Sequence, residues 1–456
     1  MKITFISNYI NHHQIPLCDA IYKYLGEDFH FIQCMDMEEK RVEMGWGVDT
    51  AKYPYVELYT RDKDRCLQLI QDADVLILGW SGVPEVDEIV LGSDKPIIRI
   101  SERIYREGQW KAISPRGLLS KYKEHIRFKN KPVYLLCAGA YVAADFALIH
   151  AYPGKKYRWG YFPPTHIITA QEHKKKFKKF QDYEDTVDLD NTDETLKFIR
   201  TDGKADNRDN DKDNASAQTE GNVANAGISK IADDSVRLDQ IPLEIMWAGR
   251  FIKLKHPEYA IMAMKDIAGK YRNVHLTMIG DGELLEEMKE LARQYKVYHR
   301  ITFCGNMEPA AVRKKMLDAD IFLFTSNYLE GWGAVVNEAM NAGCAVIASG
   351  EAGCVPYLIK DDINGCVYRK GRYSEMLKKL TALLENPIRI GRMGLEAYNT
   401  IIDKWNAENA ANELIRFCKD LLKGYPSPAE DGPLSEAPII KPPSFFRTLQ
   451  EDNHLK

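Results

Sequence analysis

Several patterns are missing from this chain of 456 residues, and each absence excludes a class of protein. No run approaches 18 apolar residues, so no membrane-spanning helix is expected. The first residues, MKITFISNYINHH, lack the basic and apolar regions of a secretory signal. The nine cysteines form no CxxC pair and no Cys/His metal spacing, which favours buried or free thiols in a reducing compartment. We therefore expect a cytoplasmic protein, with any membrane contact peripheral and at the inner face.

Other absences bear on ligands. The loop of residues 8–14, after the first predicted strand, contains no glycine, so the GxGxxG fingerprint of a generic Rossmann dehydrogenase is missing. The net charge is 62 − 66 = −4, and no RNP-like motif or base-reading basic helix is present, so no nucleic-acid partner is expected. The run DNDKDN at 209–214 lacks the glycine and glutamate that an EF-hand loop requires, and no metal site is expected.

What the sequence does contain is a repeated alternation of apolar strands and helix-like segments. A first series of strands is predicted at 3–7, 29–34, 74–80, 96–101 and 133–139, and a second at 243–249, 274–280, 301–306, 319–326 and 344–349. Continuous apolar strands between helices indicate parallel sheets that are covered on both faces. We therefore predict an α/β fold with two Rossmann-like domains, in which ligands gather at the carboxyl ends of the strands.

The composition divides the chain into four parts. Residues 1–165 form the predicted N-terminal domain, and 241–424 form the C-terminal domain. Between them, residues 166–240 are a predicted linker that contains a polar insertion at about 183–238. This insertion has too few apolar residues to offset the entropy of ordering, so it is expected to be flexible. Residues 425–456 are rich in proline and are predicted to form an extended tail.

The most informative stretch is EGWGAVVNEAMNAG at 330–343. It is predicted to be a glycine-flanked loop that leads into a helix at about 334–342 and ends at Gly343. Free amides at the helix start suit an anion, while the carboxylates of Glu330 and Glu338 suit sugar hydroxyls. Phosphate and hydroxyl recognition together point to a nucleotide-sugar. The alternative is an ordinary βαβ turn with two surface glutamates.

A second motif, GRFIKLK at 249–255, carries two cations between a predicted strand and a helix. Arg250 offers a planar fork of donors and Lys255 a point charge, a combination that suits a diphosphate. The alternative is two unrelated surface cations.

At this point a family resemblance is clear. Glu-x7-Glu in the setting EGWGAVVNEAM resembles the signature of the retaining family 4 glycosyltransferases of the GT-B fold. The resemblance is specific over about 240–370 and loose in the N-terminal half. It implies two Rossmann-like domains that face each other across a cleft, with the nucleotide-sugar on the second and the acceptor on the first. It also implies a helix at about 405–423 that returns to the first domain.

The resemblance further implies a hexosyltransferase-type reaction with retention and without a metal ion or other cofactor. The substrate is a nucleotide-sugar, UDP- or GDP-linked. Arg250 and Lys255 would neutralise the diphosphate, Glu330 would accept hydrogen bonds from the donor sugar, and Glu338 would accept those of the ribose. The remaining donor-binding positions are Gly331, Trp332, Gly333, Ala334 and Val335, with the backbone of Gly305, Asn306 and Met307 facing the base.

The acceptor side is predicted from loops that follow strands of the first domain. Its residues are Asn11, His13, Glu102 and Arg103; ordinary surface or capping roles are the alternative for the histidine. Residues 103–131 carry nine basic and two acidic side chains, so their charge is 9 − 2 = +7. Each basic residue contributes about 1 kcal/mol near an anionic leaflet. The stretch is either a docking surface for a membrane or a lipid-linked acceptor, or a solvated helix face.

The function predicted from the sequence is therefore transfer of a sugar to a glycan or lipid-linked acceptor, in the synthesis of a cell-envelope polysaccharide. Two alternatives remain open: a sugar-nucleotide epimerase of the same architecture, and a nucleotide-sugar-binding protein without catalysis.

Overall fold

The computed structural model describes residues 1–39, 47–109, 112, 114–186, 241–369 and 372–442. Their strands form two sheets, one of seven strands and one of six. Every recorded pair of neighbouring strands is parallel. The prediction of an α/β chain with two Rossmann-like domains is confirmed.

The first sheet has the order β3-β2-β1-β4-β5-β6-β7. Its strands are β1 (Ile3–Ser7), β2 (Phe29–Gln33), β3 (Val56–Leu58), β4 (Val75–Leu78), β5 (Ile97–Ser101), β6 (Val133–Ala138) and β7 (Lys156–Trp159). Its helices are α1 (Ile15–Leu25), α2 (Lys63–Asp72), α3 (Pro84–Gly92), α4 (Pro115–Glu124) and α5 (Val142–Leu148). Every residue of β1 and β4 is buried, as expected for central strands with helices on both faces.

The second sheet has the order β10-β9-β8-β11-β12-β13. Its strands are β8 (Leu243–Ala248), β9 (Val274–Ile279), β10 (Ile301–Phe303), β11 (Ile321–Phe324), β12 (Ala345–Ser349) and β13 (Cys366–Tyr368). Its helices are α7 (Glu258–Ile267), α8 (Leu285–Gln294), α9 (Pro309–Asp318), α10 (Ala334–Asn341), α11 (Val355–Leu358), α12 (Tyr373–Leu384), α13 (Pro387–Asp403) and α14 (Ala407–Leu422). The order reverses between β8 and β11, and a doubly wound sheet opens its ligand crevice at such a reversal.

Two segments tie the domains together. Helix α14 lies against α1, where Lys23 and Tyr24 each donate a hydrogen bond of 2.7 Å to Glu408. After α14 the chain runs beside β7: Arg158 N donates to Ser435 O at 2.7 Å. The segment predicted to be an extended tail therefore buries Leu434 fully at the edge of the first sheet.

Within the predicted linker, residues Ala170–Thr186 form helix α6, which packs on the second domain. Phe177 and Phe180 are buried. The predicted flexible insertion at 183–238 lies outside the described residues, apart from the helical backbone of 183–186. In the part of the chain that the structure describes, no helix combines the length and the apolar character that crossing a bilayer requires.

Candidate active site

The loop that carries the glutamate signature runs from the end of β11 to the start of α10. Its turn is closed by backbone bonds, with Glu330 N donating to Asn327 O at 3.0 Å. Gly333 begins the helix with a φ of +95°, and a Cβ there would lie 2.6 Å from the ring of Phe324. Only glycine fits both conditions. The loop therefore presents Glu330 and the following amides at the carboxyl edge of the sheet.

The structure brings together Lys255, which is predicted to bind the diphosphate, and Glu330, which is predicted to bind the donor sugar. Lys255 ends a short 3-10 turn after β8, and its ammonium forms an ion pair with the carboxylate of Glu330, 75 residues further on. Both side chains are mostly buried, with exposed fractions of 18% and 16%. Thr325 Oγ1 donates to the carbonyl of Lys255, which anchors the turn to the end of β11.

Arg250, the other predicted cation, lies exposed in the same loop just after β8. Among the described residues its guanidinium has no hydrogen-bond or ion-pair partner. An uncompensated guanidinium at the carboxyl edge of a parallel sheet is suited to binding an anion.

Glu338 lies in the middle of α10. Burial raises the pKa of its carboxyl group to about 6, and Arg313 opposes this rise. Within the described ranges no donor reaches this carboxylate. It therefore has its full capacity to accept hydrogen bonds from ligand hydroxyls.

The loop predicted to face a base follows β10. Gly305 has a φ of +66°, and its carbonyl accepts a 2.8 Å bond from Gly280 N at the end of β9. Asn306 is exposed. Gly305, Asn306 and Met307 therefore lie at the same carboxyl edge as Arg250.

On the opposite wall, Glu102 follows β5 and reaches across to the signature loop. Its carboxylate is hydrogen-bonded by Arg106 and by Tyr161 Oη. A Cβ at Gly331 would lie 2.7 Å from Glu102 Oε2, so the two walls touch there. Arg106 Nη1 also approaches Leu329 O at 3.5 Å.

Two of the other predicted acceptor residues shape the first loop. Asn11 closes its turn, because Oδ1 accepts from His13 N at 3.0 Å and Nδ2 donates to Gln14 at 2.9 Å. The ring of His13 stacks on Tyr161 at 5.7 Å. Burial and the neighbouring His12 lower the pKa of His13 to about 3, so its imidazole is neutral at physiological pH. Its buried Nδ1 has no hydrogen-bond partner among the described residues.

Arg103 does not join these residues. Its guanidinium makes two bonds of 3.1 Å to Asp145, and the two side chains are only 6% and 0% exposed. Its Nε and Nη2 thus bond Asp145 and the carbonyl of Tyr105 inside the first domain, which gives this cation a packing role there.

The comparisons with known proteins agree with this geometry. Residues 231–400 match the family model of glycosyl transferases group 1. An uncharacterized glycosyltransferase of Methanocaldococcus jannaschii, MJ1607, is 34% identical over 127 residues, 28% of this chain and 32% of that protein. The GDP-mannose-dependent alpha-(1-6)-phosphatidylinositol monomannoside mannosyltransferase of Mycobacterium tuberculosis is 24% identical over 189 residues, 40% of this chain and 49% of that protein. The alignments thus span about a third to a half of these relatives.

Residues 231–400 therefore resemble glycosyl transferases group 1. We refer to the described part of this matched region as the group 1 domain. The described residues have the GT-B fold. The crystal structure of Anabaena Alr3699/HepE in complex with UDP matches it with a TM-score of 0.59 and 12% identity, covering 92% of this chain and 100% of that one. The resemblance inferred from EGWGAVVNEAM is confirmed for glycosyl transferases group 1 and for the GT-B fold, whereas family 4 and retention stay predictions.

In the group 1 domain, Trp332 is a buried structural residue. It is 1% exposed, and its Nε1 donates to Asn337 at 2.9 Å. A Cβ at Gly160 of the first domain would lie only 2.3 Å from the Trp332 ring. The side chain therefore fills the joint between the domains.

Three residues near the group 1 site escaped the sequence analysis. Tyr161 and Arg106 hold Glu102, and Trp80, 69% exposed, follows β4 at the carboxyl edge of the first sheet. The available signal for Arg106 and Trp80 was their position near the ends of predicted strands, whereas Tyr161 follows β7, which was not predicted. Which of them would approach Glu102 depends on the sheet order, and the sequence does not reveal that order.

One group of potential metal ligands occurs among the described residues, away from the glutamate signature. Asp361, Asp362 and Cys366 lie together at the start of β13. Lys379 pairs with both aspartates at 2.9 Å, and Arg389 with Asp362 at 3.4 Å. The group is therefore already neutralised by cations of the group 1 domain.

Proposed function

We propose that the protein is a retaining glycosyltransferase that moves a sugar from a UDP- or GDP-sugar to a glycan or lipid-linked acceptor. The observation that carries this proposal is the contact of Lys255 with Glu330 at one sheet edge, in the same loop as Arg250 and opposite Glu102. Cations for a diphosphate and carboxylates for hydroxyls are the two recognition elements that a nucleotide-sugar requires.

The chemistry follows from the charges. As the bond between the anomeric carbon and the diphosphate oxygen breaks, its electron pair stays on that oxygen. Arg250 and Lys255 stabilise this developing charge, which lowers the barrier to departure. An acceptor hydroxyl then bonds to the anomeric carbon, and its proton passes to the departing phosphate oxygen. No protein carboxylate has to act as the base in this scheme.

The acceptor is proposed to be lipid-linked and used in a cell-envelope polysaccharide. Helix α4 supports this, because it exposes Leu118, Leu119 and Tyr122 among basic side chains. Part of the basic stretch is used otherwise: Arg103 is buried, and Lys131 bonds the carbonyls at the end of α3. The mycobacterial relative is named for a phosphatidylinositol monomannoside acceptor. The protein would then contact the membrane through α4.

A ligand panel tests the donor site. Thermal unfolding is measured with UDP, GDP, ADP, dTDP and their sugars, for wild type and Arg250→Ala. A ligand at about 100 times its Kd adds about 2.7 kcal/mol, which raises Tm by several degrees. We expect one nucleotide series to raise the Tm of wild type and to have little effect on the variant.

No shift with any nucleotide would refute the donor site and favour a scaffold role. The nucleotide-sugar of the series that binds is next incubated with an acceptor extract. Release of free nucleotide in step with glycan growth identifies transfer, whereas isomerisation of the sugar without such release identifies an epimerase.

A further inference from the structure

The ion pair between Lys255 and Glu330 has a consequence for which ligand the site retains. In the structure, Lys255, the cation proposed to bind a diphosphate, is neutralised by Glu330, the carboxylate proposed to bind a sugar. A diphosphate that recruits Lys255 competes with Glu330 for this cation. Binding of the two ligand parts is therefore linked through one ion pair.

Among the residues that the structure describes, the carboxylate of Glu330 has no second hydrogen-bond or ion-pair partner. Among the described residues, Lys255 is the only donor to its carboxylate, and its own backbone N–H is engaged by Asn327 O. The flanking Gly331 and Gly333 carry no side chains. At 16% exposure, a carboxylate released beside a diphosphate is largely desolvated and faces like charge, which is unfavourable unless new donors arrive.

We propose that this pair acts as a sugar sensor, a role that rests on the proposed function. A nucleotide-sugar provides the diphosphate that attracts Lys255 together with the hydroxyls that bind the released Glu330. A nucleoside diphosphate alone provides only the first. After transfer the hydroxyls leave with the acceptor, Glu330 pairs again with Lys255, and the nucleotide is released.

The test is calorimetry on the full chain at constant ionic strength. The probes are pyrophosphate, UDP, GDP, UDP-glucose and GDP-mannose. In wild type, we expect the nucleotide-sugar of the preferred series to bind at least about tenfold more tightly than its nucleotide, because only the former satisfies Glu330.

The variant Glu330→Gln keeps the size of the side chain and removes its charge. It should bind pyrophosphate and the preferred nucleotide about tenfold more tightly than wild type, since Lys255 is no longer held by an anion. Its affinity for the nucleotide-sugar should stay the same or fall. The dissociation rate of the nucleotide, followed by stopped flow, should decrease in parallel.

Glu102→Gln is the matched control. It also removes one carboxylate from the cleft, but that carboxylate is bonded by Arg106 and Tyr161. Its effect on pyrophosphate should stay below about twofold.

Three outcomes would overturn the sensor: equal wild-type affinities for nucleotide and nucleotide-sugar, unchanged or weaker pyrophosphate binding by Glu330→Gln, or an equal gain in Glu102→Gln. Wild type that binds pyrophosphate but no nucleotide would instead refute the proposed function. In that case the comparison of pyrophosphate binding by wild type and Glu330→Gln would still test whether the ion pair acts as a sensor.

Discussion

Residues of the same type that are close in sequence have different partners in the structure. Arg103 and Arg106 are three apart, yet the first is buried on Asp145 and the second supports Glu102 at the cleft. Glu330 and Glu338 likewise differ: one is paired with Lys255, whereas the other has no donor among the described residues. The sequence shows the charge of each side chain. It does not show that Arg103 pairs with a residue 42 positions away or that Glu330 pairs with one 75 positions away.

The raised pKa of Glu338 predicts a pH dependence of donor binding. Below about pH 6 this carboxyl group becomes protonated and loses part of its capacity to accept hydrogen bonds from ribose hydroxyls. The donor KM should therefore rise by several-fold as the pH falls from 7.5 to about 5. Steady-state kinetics across this range measure the effect.

Glu338→Gln is the control for that profile. The amide does not titrate here, so the variant should have a high donor KM throughout and lose the acid limb. A variant that retains the wild-type pH profile would assign the titration to another group and remove the ribose role of Glu338.

At the scale of elements, α6 shows what a basic run can conceal. In HKKKFKKF at 173–180, Lys176, Phe177 and Phe180 are buried against the second domain, and the run of basic residues did not predict this. Lys176 is 7% exposed and donates two hydrogen bonds to carbonyls at the end of α9. The acceptors are Leu317 in the last turn, at 3.2 Å, and Ala319 just after the helix, at 2.5 Å. Gly343 permits the approach, because a Cβ there would lie 2.9 Å from Phe177.

Replacing Lys176 with Met should destabilise the second domain by about 1–3 kcal/mol, since buried carbonyls at the end of α9 lose their donor. The corresponding fall in Tm is several degrees. Denaturant unfolding measures it. Lys178→Met, on the exposed face at 56% exposure, should be nearly neutral. Equal stability of the two variants would show that α6 does not hold the domain.

The strand predictions show the same dependence on context. Long buried strands such as β1, β4 and β12 were found from their apolar runs alone. Strands β3 and β13 were not predicted, because three residues at a sheet edge carry no recognisable period. Their pairing with β2 and β12 is what makes them strands.

At the scale of the whole molecule, the two domains meet through small residues. Ala140 N, in the turn before α5, donates to Gly353 O of the second domain at 2.9 Å. Tyr141 Oη donates to Gly350 O. The turn CAGAY at 137–141 thus packs between the domains. This contact places Glu102 against Gly331 and leaves α4 on the outer surface of the first domain.

That exposed helix predicts how the molecule meets a membrane. Leu119 and Tyr122 are 59% and 53% exposed, and Arg116 and Lys123 flank them. Leu119→Glu should reduce co-sedimentation with vesicles of phosphatidylcholine and phosphatidylglycerol by several-fold, because it adds charge to the apolar contact. The donor KM should not change.

Leu422→Glu, at an exposed leucine on α14, is the matched control and should bind vesicles like wild type. Equal binding of all three proteins, or equal binding to vesicles without phosphatidylglycerol, would remove α4 as an electrostatic membrane contact.

The sequence by itself determined the fold class and located the loops of the candidate donor site, because both depend on local patterns. Apolar runs specify buried parallel strands, and the glycines and charges of 249–255 and 330–343 act within single loops. The tertiary structure decided which charges meet: Lys255 with Glu330, Glu102 with Arg106 and Tyr161, and Arg103 with Asp145. The energy of an ion pair falls as the distance between its charges grows, and only the packed sheets and the contact between domains set those distances.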